Sequence, residues 1–158
     1  MKFPINPKKI LQAPNPVLYK VSEPVTEVDT YIKELAQYMK SVLTRVLGIA
    51  AVQFGEPVRM IGVRRDTLSD LIIVNPEIVK VSDKTVASKE ACLSVNMGQT
   101  QVSLRRHKRV KVVGYTLEGG RIVIKAQGLL SCVLQHEIDH LDGVLITANR
   151  KGGSDGTG

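Results

Sequence analysis

Two stretches of the chain carry apolar residues at the three- and four-residue steps of an amphipathic helix. The first stretch covers residues 28–46, and Thr26 or Asp29 can cap its start. The second covers Gly128–Leu141, and Gly143 is suited to ending it. The pattern therefore predicts one helix in the first third of the chain and a second helix near its end.

Shorter apolar runs, typical of strands, lie between the two predicted helices. The runs are Met60–Val63, Leu71–Val74 (which ends at Asn75-Pro76), Ile78–Val81, Lys108–Leu117 and Arg121–Ala126. The last two flank Glu118-Gly119-Gly120, a sequence that predicts a hairpin. Residues 1–25 carry five prolines and are predicted to be extended and rich in turns. Strands followed by a helix favour an α+β fold with an antiparallel sheet.

Length and composition restrict the class of protein. The 158 residues are 43% hydrophobic and 23% charged, which excludes a disordered or fibrous chain and favours a single domain over residues 1–150. The tail of residues 151–158 lacks apolar residues and is predicted to be disordered. No stretch is typical of a secretory signal or a membrane-spanning helix, so we expect a cytoplasmic protein with reduced cysteines and no membrane partner. The formal net charge of +7 favours anionic partners.

The strongest chemical signal is an HExxH pattern on the second predicted helix, formed by His136, Glu137 and His140. Residues four apart share one face of a helix, so both imidazoles can reach one metal ion. Glu137 adjoins the first histidine and can accept a proton from a water molecule that the ion activates. A solvated helix face can match so short a pattern by accident, but two of the three histidines fall in it. The pattern therefore predicts a divalent metal site.

A catalytic metal site of this kind usually has a third protein ligand. Cys132 is excluded because eight residues of helix separate it from His140, a rise of about 12 Å. No His or Glu follows His140, and His107 lies among cations that disfavour a bound dication. Cys92 remains, and a thiolate is a suitable ligand for Zn or Fe(II). We expect Cys92 to be the third ligand and Cys132 to be a core residue or part of a pocket wall.

Three segments resemble, in order, the three motifs of peptide deformylases. They are Leu47–Gln53 (LGIAAVQ), Glu90–Ser94 (EACLS) and Gln135–Gly143 (QHEIDHLDG), beside the family patterns GxGLAAxQ, EGCLS and QHExDHLxG. The resemblance implies an α+β fold in which antiparallel β-sheets pack around a central helix that bears the HExxH motif, with a further helix near the N-terminus. It also implies a metal-dependent hydrolase that removes the formyl group from N-formylmethionine at the start of nascent polypeptides and releases formate.

The resemblance assigns roles to single residues by matching positions in the motifs. One divalent ion, Fe(II) in the cell and Zn, Ni or Co as alternatives in the isolated protein, would be held by Cys92, His136 and His140. Glu137 would act first as a base and then as an acid. The developing oxyanion would be stabilised by the side chain of Gln53 and the backbone N–H of Leu93.

The same resemblance places the substrate. The strand-like backbone of Leu47, Gly48 and Ile49 would hydrogen-bond to an extended peptide, which gives affinity with little demand on the peptide's sequence. The apolar side chain of the substrate's methionine needs a pocket, and we expect Cys132 and Val133 to form walls of it. Packing in the core is the alternative role for these two side chains.

The chain departs from the family pattern at several positions near the predicted site. Val46 and Ala91 stand where the family has glycine, and Asn96 stands where it usually has proline. A Cβ at Ala91, beside the predicted ligand Cys92, could narrow the cleft or shift the substrate. We find no clear match for the arginine that commonly follows the second motif. A divergent deformylase-like protein with an altered acyl-amine substrate, or with little activity, is therefore the alternative function.

Two other classes of function are less well supported. A zinc peptidase with the pattern HExxHxxGxxH would need a third histidine where Ile146 stands, and no Glu follows Glu137 to replace it. A nucleic-acid-binding module would use Arg105–Lys111, which has five cations in seven residues. Aromatic residues are only 4% of the chain, so a platform for stacking bases and specific binding of DNA are not expected.

The basic run has two further interpretations. It is typical of a charged strand edge that prevents edge-to-edge pairing of sheets. In a deformylase, a basic surface would instead hold the enzyme near ribosomal RNA. The expected partners are then N-formylmethionyl nascent peptides and, through this surface, the ribosome. A location in an organelle or in a virus-infected host cell is the alternative to a bacterial cytoplasm.

Overall fold

The computed structural model describes residues 9–65 and 69–148, so the predicted disordered tail lies outside the described residues. The strands are β1 (Gly48–Ala50), β2 (Met60–Arg64), β3 (Asp70–Val81), β4 (Thr85–Glu90), β5 (Val102–His107), β6 (Arg109–Tyr115) and β7 (Arg121–Gln127). The helices are α1 (Thr30–Val42) and α2 (Gly128–Leu141), with short 3-10 helices at Pro16–Tyr19, Ala51–Phe54 and Asn96–Gly98. None of the described helices is long and apolar enough to cross a membrane.

The strands form two antiparallel sheets. Five of them pair in the order β1-β2-β3-β6-β7, and β4 pairs with β5 in a separate two-stranded sheet. The predicted hairpin is present, because β6 pairs with β7 from Arg109↔Gln127 to Tyr115↔Arg121. The predicted α+β fold with antiparallel sheets is therefore confirmed.

The two helices pack on opposite faces of the five-stranded sheet. Successive side chains of a strand point to opposite faces. Met60 and Ile72 are buried in the cluster that contains the apolar face of α1, whereas their neighbours Ile61 and Ile73 are buried in the cluster that contains α2. The helix with the HExxH motif is thus held against a rigid sheet by one half of the core.

Local interactions set the start of α1 and the end of α2. The carboxylate of Asp29 caps α1 by accepting from the N–H of Ile32 at 3.0 Å, as one of the two predicted caps. The helix is shorter than predicted, since it begins at Thr30 and residues 43–45 form a turn that leads toward β1. The range of α2 is the predicted one. Gly143 follows it with φ 74°, and a Cβ there would collide with the carbonyl of Tyr19.

The sheet differs from the prediction in two places. Asp70–Val81 is one continuous strand and is not broken at Asn75. Asn75 adopts φ 52°, and its side chain holds this bulge by bonding to both backbone groups of Val25, at 2.8 and 2.9 Å. The pair β4–β5 was not predicted, because Thr85–Glu90 is polar and half-exposed along its length and shows no apolar face.

Candidate metal centre

Three potential ligands converge at the start of the loop after β4. His136 and His140 lie one turn apart on α2, and Cys92 follows β4 by two residues. Their ligand atoms all lie within 4.8 Å of one another, and Cys92 Sγ is 3.4 Å from His140 Nε2. The structure thus brings together the three side chains that the sequence predicted as ligands. One sulfur and two imidazole nitrogens fit a small divalent ion such as Fe(II) or Zn.

His136 is oriented by the carboxylate of Glu90, the first residue of the second motif. Its Nδ1 lies 2.8 Å from Glu90 Oε1, which leaves Nε2 for an ion. Glu90 is itself held by Arg106, whose Nε and Nη2 donate to the two carboxylate oxygens at 2.8 and 2.7 Å. Arg106 also donates to Asp139 at 2.6 Å. A chain of charged hydrogen bonds therefore fixes the plane of the first imidazole.

The charged groups around the three potential ligands favour a cation between them. Burial alone would raise the pKa of Glu90, but the hydrogen bonds from Arg106 and His136 hold it well below its usual range. Burial disfavours a charged His136, yet the charge of Glu137 and the contacts with Cys92 and Glu90 raise its pKa to about 10. Burial and the neighbouring positive charges lower the pKa of His140. The anionic groups thus stabilise a positive charge at His136, and a divalent ion bound there would replace the proton.

The side chain of Glu137 lies beside the potential ligands and packs against Gly48, where a larger residue would not fit. The side chain is 4% exposed, and its Oε1 accepts no hydrogen bond from a described residue. Burial raises the pKa of Glu137 to about 7, despite the opposing charge of His136. A Cβ added at Gly48 would lie 2.5 Å from Glu137 Oε2, so a larger residue in β1 would displace the carboxylate. The geometry leaves a buried carboxyl group able to gain and lose a proton near neutral pH.

Gln53 is buried and has a fixed orientation. Its Oε1 accepts from the N–H of Ala50 at 3.0 Å, so its Nε2 points the other way, toward the ligands. There Nε2 donates to Ser94 Oγ at 3.1 Å and lies 3.7 Å from Cys92 Sγ. The side chain of Ser94, which is fully buried, therefore helps to hold the amide that faces the metal centre.

The N–H of Leu93 is directed by the turn in which it lies. The carbonyl of Cys92 accepts from the N–H of Val95 at 2.9 Å. Because the peptide unit is planar and trans, the N–H of Leu93 points away from that bond. It donates to no residue in the described ranges. Leu93 thus offers a free donor beside Cys92.

A cavity of about 340 Å³ opens in front of these groups. Most of the predicted site residues line it: Leu47, Gly48, Gln53, Ala91, Cys92, Leu93, Cys132, Val133, His136 and Glu137. Val46, one of the departures from the family pattern, lines it as well. His140 lies behind this wall, and Ile49 is fully buried in the core against α1, so its side chain does not reach the cavity.

The interpretation of Arg105–Lys111 as one basic surface needs a correction. Arg106 is 4% exposed and is paired with Glu90 and Asp139, so it contributes no charge to the surface. His107 is structural, since its Nδ1 lies 2.8 Å from the carbonyl of Ser82. Arg106 lies two residues after Leu104, and alternate residues of a strand point to the same face. This spacing is a sequence signal that predicts the inward direction of Arg106.

Comparisons with known proteins agree with this geometry. A family model described as polypeptide deformylase matches residues 7–154. A peptide deformylase of Bartonella tribocorum is 41% identical over 146 residues, which cover 87% of this chain and 81% of that protein. A solved peptide deformylase of Thermotoga maritima superposes with a TM-score of 0.81 at 32% identity and covers 87% of this chain and 92% of its own. A class I type b peptide deformylase of Acinetobacter baumannii, solved with Met-Ala-Ser bound, gives a TM-score of 0.79 at 28% identity over 87% of this chain and 94% of its own.

Proposed function

The chain belongs to the polypeptide deformylase family, and from that premise we propose which of its residues carry out the reaction. It is a hydrolase that removes the N-formyl group from nascent polypeptides. The observation that carries the assignment of residues is the convergence of Cys92, His136 and His140 beside the buried carboxyl group of Glu137.

Cys92, His136 and His140 hold one divalent ion in this proposal. A thiolate and two imidazoles are compatible with Fe(II), Zn, Ni or Co, and the family resemblance favours Fe(II) in the cell. A divalent ion bound there supplies a Lewis acid that makes water nucleophilic near neutral pH and polarises a carbonyl oxygen. Anaerobic purification followed by elemental analysis tests the choice of metal, and a protein that contains only zinc would contradict Fe(II).

Glu137 moves the proton in this scheme. Its unbonded Oε1 accepts the proton of the attacking water, because its pKa of about 7 leaves part of the population ionised. The bond between the formyl carbon and the methionine nitrogen then breaks, and Glu137 returns the proton to the departing amine. Formate and a free amino terminus are the products, so the carboxylate ends the cycle as it began.

Gln53 and Leu93 stabilise the charge that develops on the formyl oxygen. The Nε2 of Gln53 lies 3.7 Å from Cys92 Sγ, and the N–H of Leu93 belongs to the peptide unit that follows Cys92 and donates to no described residue. Both are held before substrate binds, Gln53 by Ala50 and Leu93 by its turn. Donors that are fixed in advance do not have to reorganise during the reaction, which is the main source of their effect.

The substrate peptide lies along β1. This strand is at the end of the five-stranded sheet and pairs only with β2 among the described strands. The carbonyl of Leu47 accepts from Arg64 of the β2 strand, and every second residue of an antiparallel strand faces away from its partner. Gly48 is therefore the residue whose backbone faces the open edge and can pair with an extended peptide. The methionine side chain then occupies the space beside Cys132 and Val133.

Formate release from N-formyl-Met-Ala-Ser by anaerobically prepared protein tests the proposal. We expect Glu137→Ala to lower the rate by about 10²- to 10⁴-fold while the metal content stays at the wild-type value. Glu118→Ala, a change of another glutamate in the turn between β6 and β7, is the matched control and should leave the rate unchanged. Metal-loaded wild-type protein that releases no formate would instead favour the alternative of a cleft altered by Val46 and Ala91.

We further propose that the enzyme works in the cytoplasm and contacts the ribosome through a basic face of the sheet. Lys80, Lys111 and Lys125 are direct cross-strand neighbours on β3, β6 and β7, and with Arg109 they line a groove of about 580 Å³. None of the four forms an ion pair within the described ranges. Adjacent like charges are unfavourable in isolation, so an anionic partner such as an RNA backbone would stabilise them.

Co-sedimentation with ribosomes at increasing salt tests this contact. Binding should weaken steeply with salt, and Lys111→Glu should weaken it at every salt concentration. Lys33→Glu, an equal change of charge on the exposed face of α1, is the control and should have a smaller effect. Binding that does not respond to salt would contradict the proposal.

A further inference from the structure

The segment that precedes the first 3-10 helix is tied to both elements that carry the proposed oxyanion donors. The N–H of Leu11 donates to the carbonyl of Gln53 at 2.8 Å, and the N–H of Ala13 donates to the carbonyl of Ser94 at 2.7 Å. Gln12 lies between these two bonds. The segment thus spans the short distance between the helix that bears Gln53 and the loop that follows Cys92.

The side chain of Gln12 makes two further bonds to that loop. Its Nε2 donates to the carbonyl of Leu93 at 2.7 Å, and its Oε1 accepts from the N–H of Met97 at 3.0 Å. One amide therefore bridges both ends of the segment 93–97. Only a side chain with a donor and an acceptor on the same carbon can make this pair of bonds.

The bridged loop has an unfavourable backbone conformation. Asn96, Met97 and Gly98 have φ of 48°, 55° and 83°, so three successive residues lie in the left-handed region. Glycine adopts this region freely and asparagine tolerates it, but a residue such as Met97 rarely does. Met97 is 66% exposed, so packing does not hold it there. The hydrogen bond from the N–H of Met97 to Gln12 can hold this backbone conformation.

The bond at the other end of the bridge bears on Leu93. The peptide unit before its Cα is held by the bond between Cys92 and Val95, and the peptide unit after its Cα is held by Gln12. Both backbone dihedrals of Leu93 are fixed in this way. If the second unit turned, the first could follow, and the N–H of Leu93 would lose the orientation that its proposed role as an oxyanion donor requires.

We propose that Gln12 is a positioning residue for deformylation, which fixes the N–H of Leu93 by clamping a strained loop. The inference rests on the proposed role of Leu93 as an oxyanion donor. Gln12 itself does not line the cavity and acts only through the loop. Its loss should therefore slow the chemical step and leave binding of the peptide and the metal nearly unchanged.

The test compares steady-state kinetics of formate release and metal content among a small set of variants. Gln12→Ala should lower kcat by about 10- to 100-fold, with KM and metal content within about twofold of wild type. Gln12→Glu keeps the acceptor for Met97 but loses the donor to Leu93, so it should lower kcat to a similar extent. Asn15→Ala removes a different side-chain bond from the same segment, that to the N–H of Val17, and should leave kcat unchanged.

A second change separates positioning from a general loss of structure. Met97→Gly removes the backbone strain without restoring any bond, so adding it to Gln12→Ala should recover part of kcat. An unchanged kcat in Gln12→Ala, or a loss that Met97→Gly does not reduce, would overturn the inference. Amide hydrogen exchange of the zinc-loaded protein is a readout that does not need activity. Exchange at Val95, whose N–H donates to the carbonyl of Cys92 and so holds the peptide unit of Leu93, should be faster in Gln12→Ala. Wild-type protein that binds metal but releases no formate would contradict the proposed function, and unchanged exchange would contradict the clamp.

Discussion

Replacing Arg106 by leucine should destabilise the protein strongly, because this guanidinium neutralises a carboxylate that is buried with it. Arg106 is 4% exposed, and Glu90, which takes two of its hydrogen bonds, has a side chain that is 9% exposed. Asp139 takes a third bond but is 25% exposed, so water can replace the arginine there. The cost therefore comes mainly from Glu90, which would lose both hydrogen bonds from Arg106 and keep only its contacts with His136 and Ser88 among the described residues.

The magnitude follows from the burial of this pair. Removing one partner of a buried ion pair costs roughly 3–5 kcal/mol, whereas an exposed pair contributes about 0–1 kcal/mol. We expect Arg106→Leu to lower the free energy of unfolding by roughly 3–5 kcal/mol, with the bond to Asp139 as a minor part. For a domain whose total stability is about 5–15 kcal/mol, such a loss is large.

Urea unfolding, followed by circular dichroism with a chelator present, measures this loss without a contribution from bound metal. Arg105→Leu is the matched control, since Arg105 is the preceding residue of β5 but is exposed and, among the described residues, has side-chain bonds only to Thr85. Its effect should stay within about 0.5 kcal/mol. If Arg106→Leu does not fold, Arg106→Lys keeps the charge without the paired bonds and should give an intermediate loss.

A double-mutant cycle identifies the cause. Adding Glu90→Gln to Arg106→Leu removes the charge that Arg106 balanced. The loss of unfolding free energy in the double variant should therefore be smaller than the sum of the losses in the two single variants. An Arg106→Leu protein as stable as the Arg105→Leu control would refute the reasoning. If the loss in the double variant equals that sum, the destabilisation comes from lost packing and not from the charge of Glu90.

Three further changes test the metal centre by activity and metal content. Gly48→Ala should abolish formate release while metal is retained, because its Cβ would occupy the place of the Glu137 carboxylate, and an active variant would contradict this geometry. Glu90→Gln should weaken metal affinity about 10- to 100-fold, measured by competition with a chelator, because it weakens the bond that orients the first imidazole. Cys92→Ala should lose the ion on dialysis, whereas Cys132→Ala should keep it, and equal metal content in the two would argue against Cys92 as a ligand.

The parts of the fold that depend on local sequence could be predicted. The range of α2 was correct because its apolar stripe and the glycine after it act within a few residues. The hairpin of β6 and β7 was correct because its turn lies between two apolar runs. The long strand β3 was not predicted as one element, since Asn75 is held in it by Val25, fifty residues away.

The candidate site divides in the same way. The spacing of His136 and His140 on one helix face, with Glu137 beside them, is local, and so the sequence by itself determined this half of the metal centre. Cys92 was reached only by eliminating other ligands and by the motif resemblance, because nothing in its own neighbourhood shows that β4 ends beside α2. The role expected of Ile49 concerns its backbone and stays a prediction, because its side chain is buried in the core and does not test it.

Only the tertiary structure decided which polar groups support the site. Arg106 stands in a run of cations that suggests a solvated surface. In the fold it is buried and paired with Glu90 and Asp139, and Glu90 is the carboxylate that orients His136. Gln12 has no signal at all in the sequence, because its two bonds reach residues more than eighty positions away. Helix periodicity and ligand spacing are short-range properties that one segment determines alone. Hydrogen bonds between distant segments depend on how the sheet and the loop after β4 pack, and the sequence of neither partner contains that information.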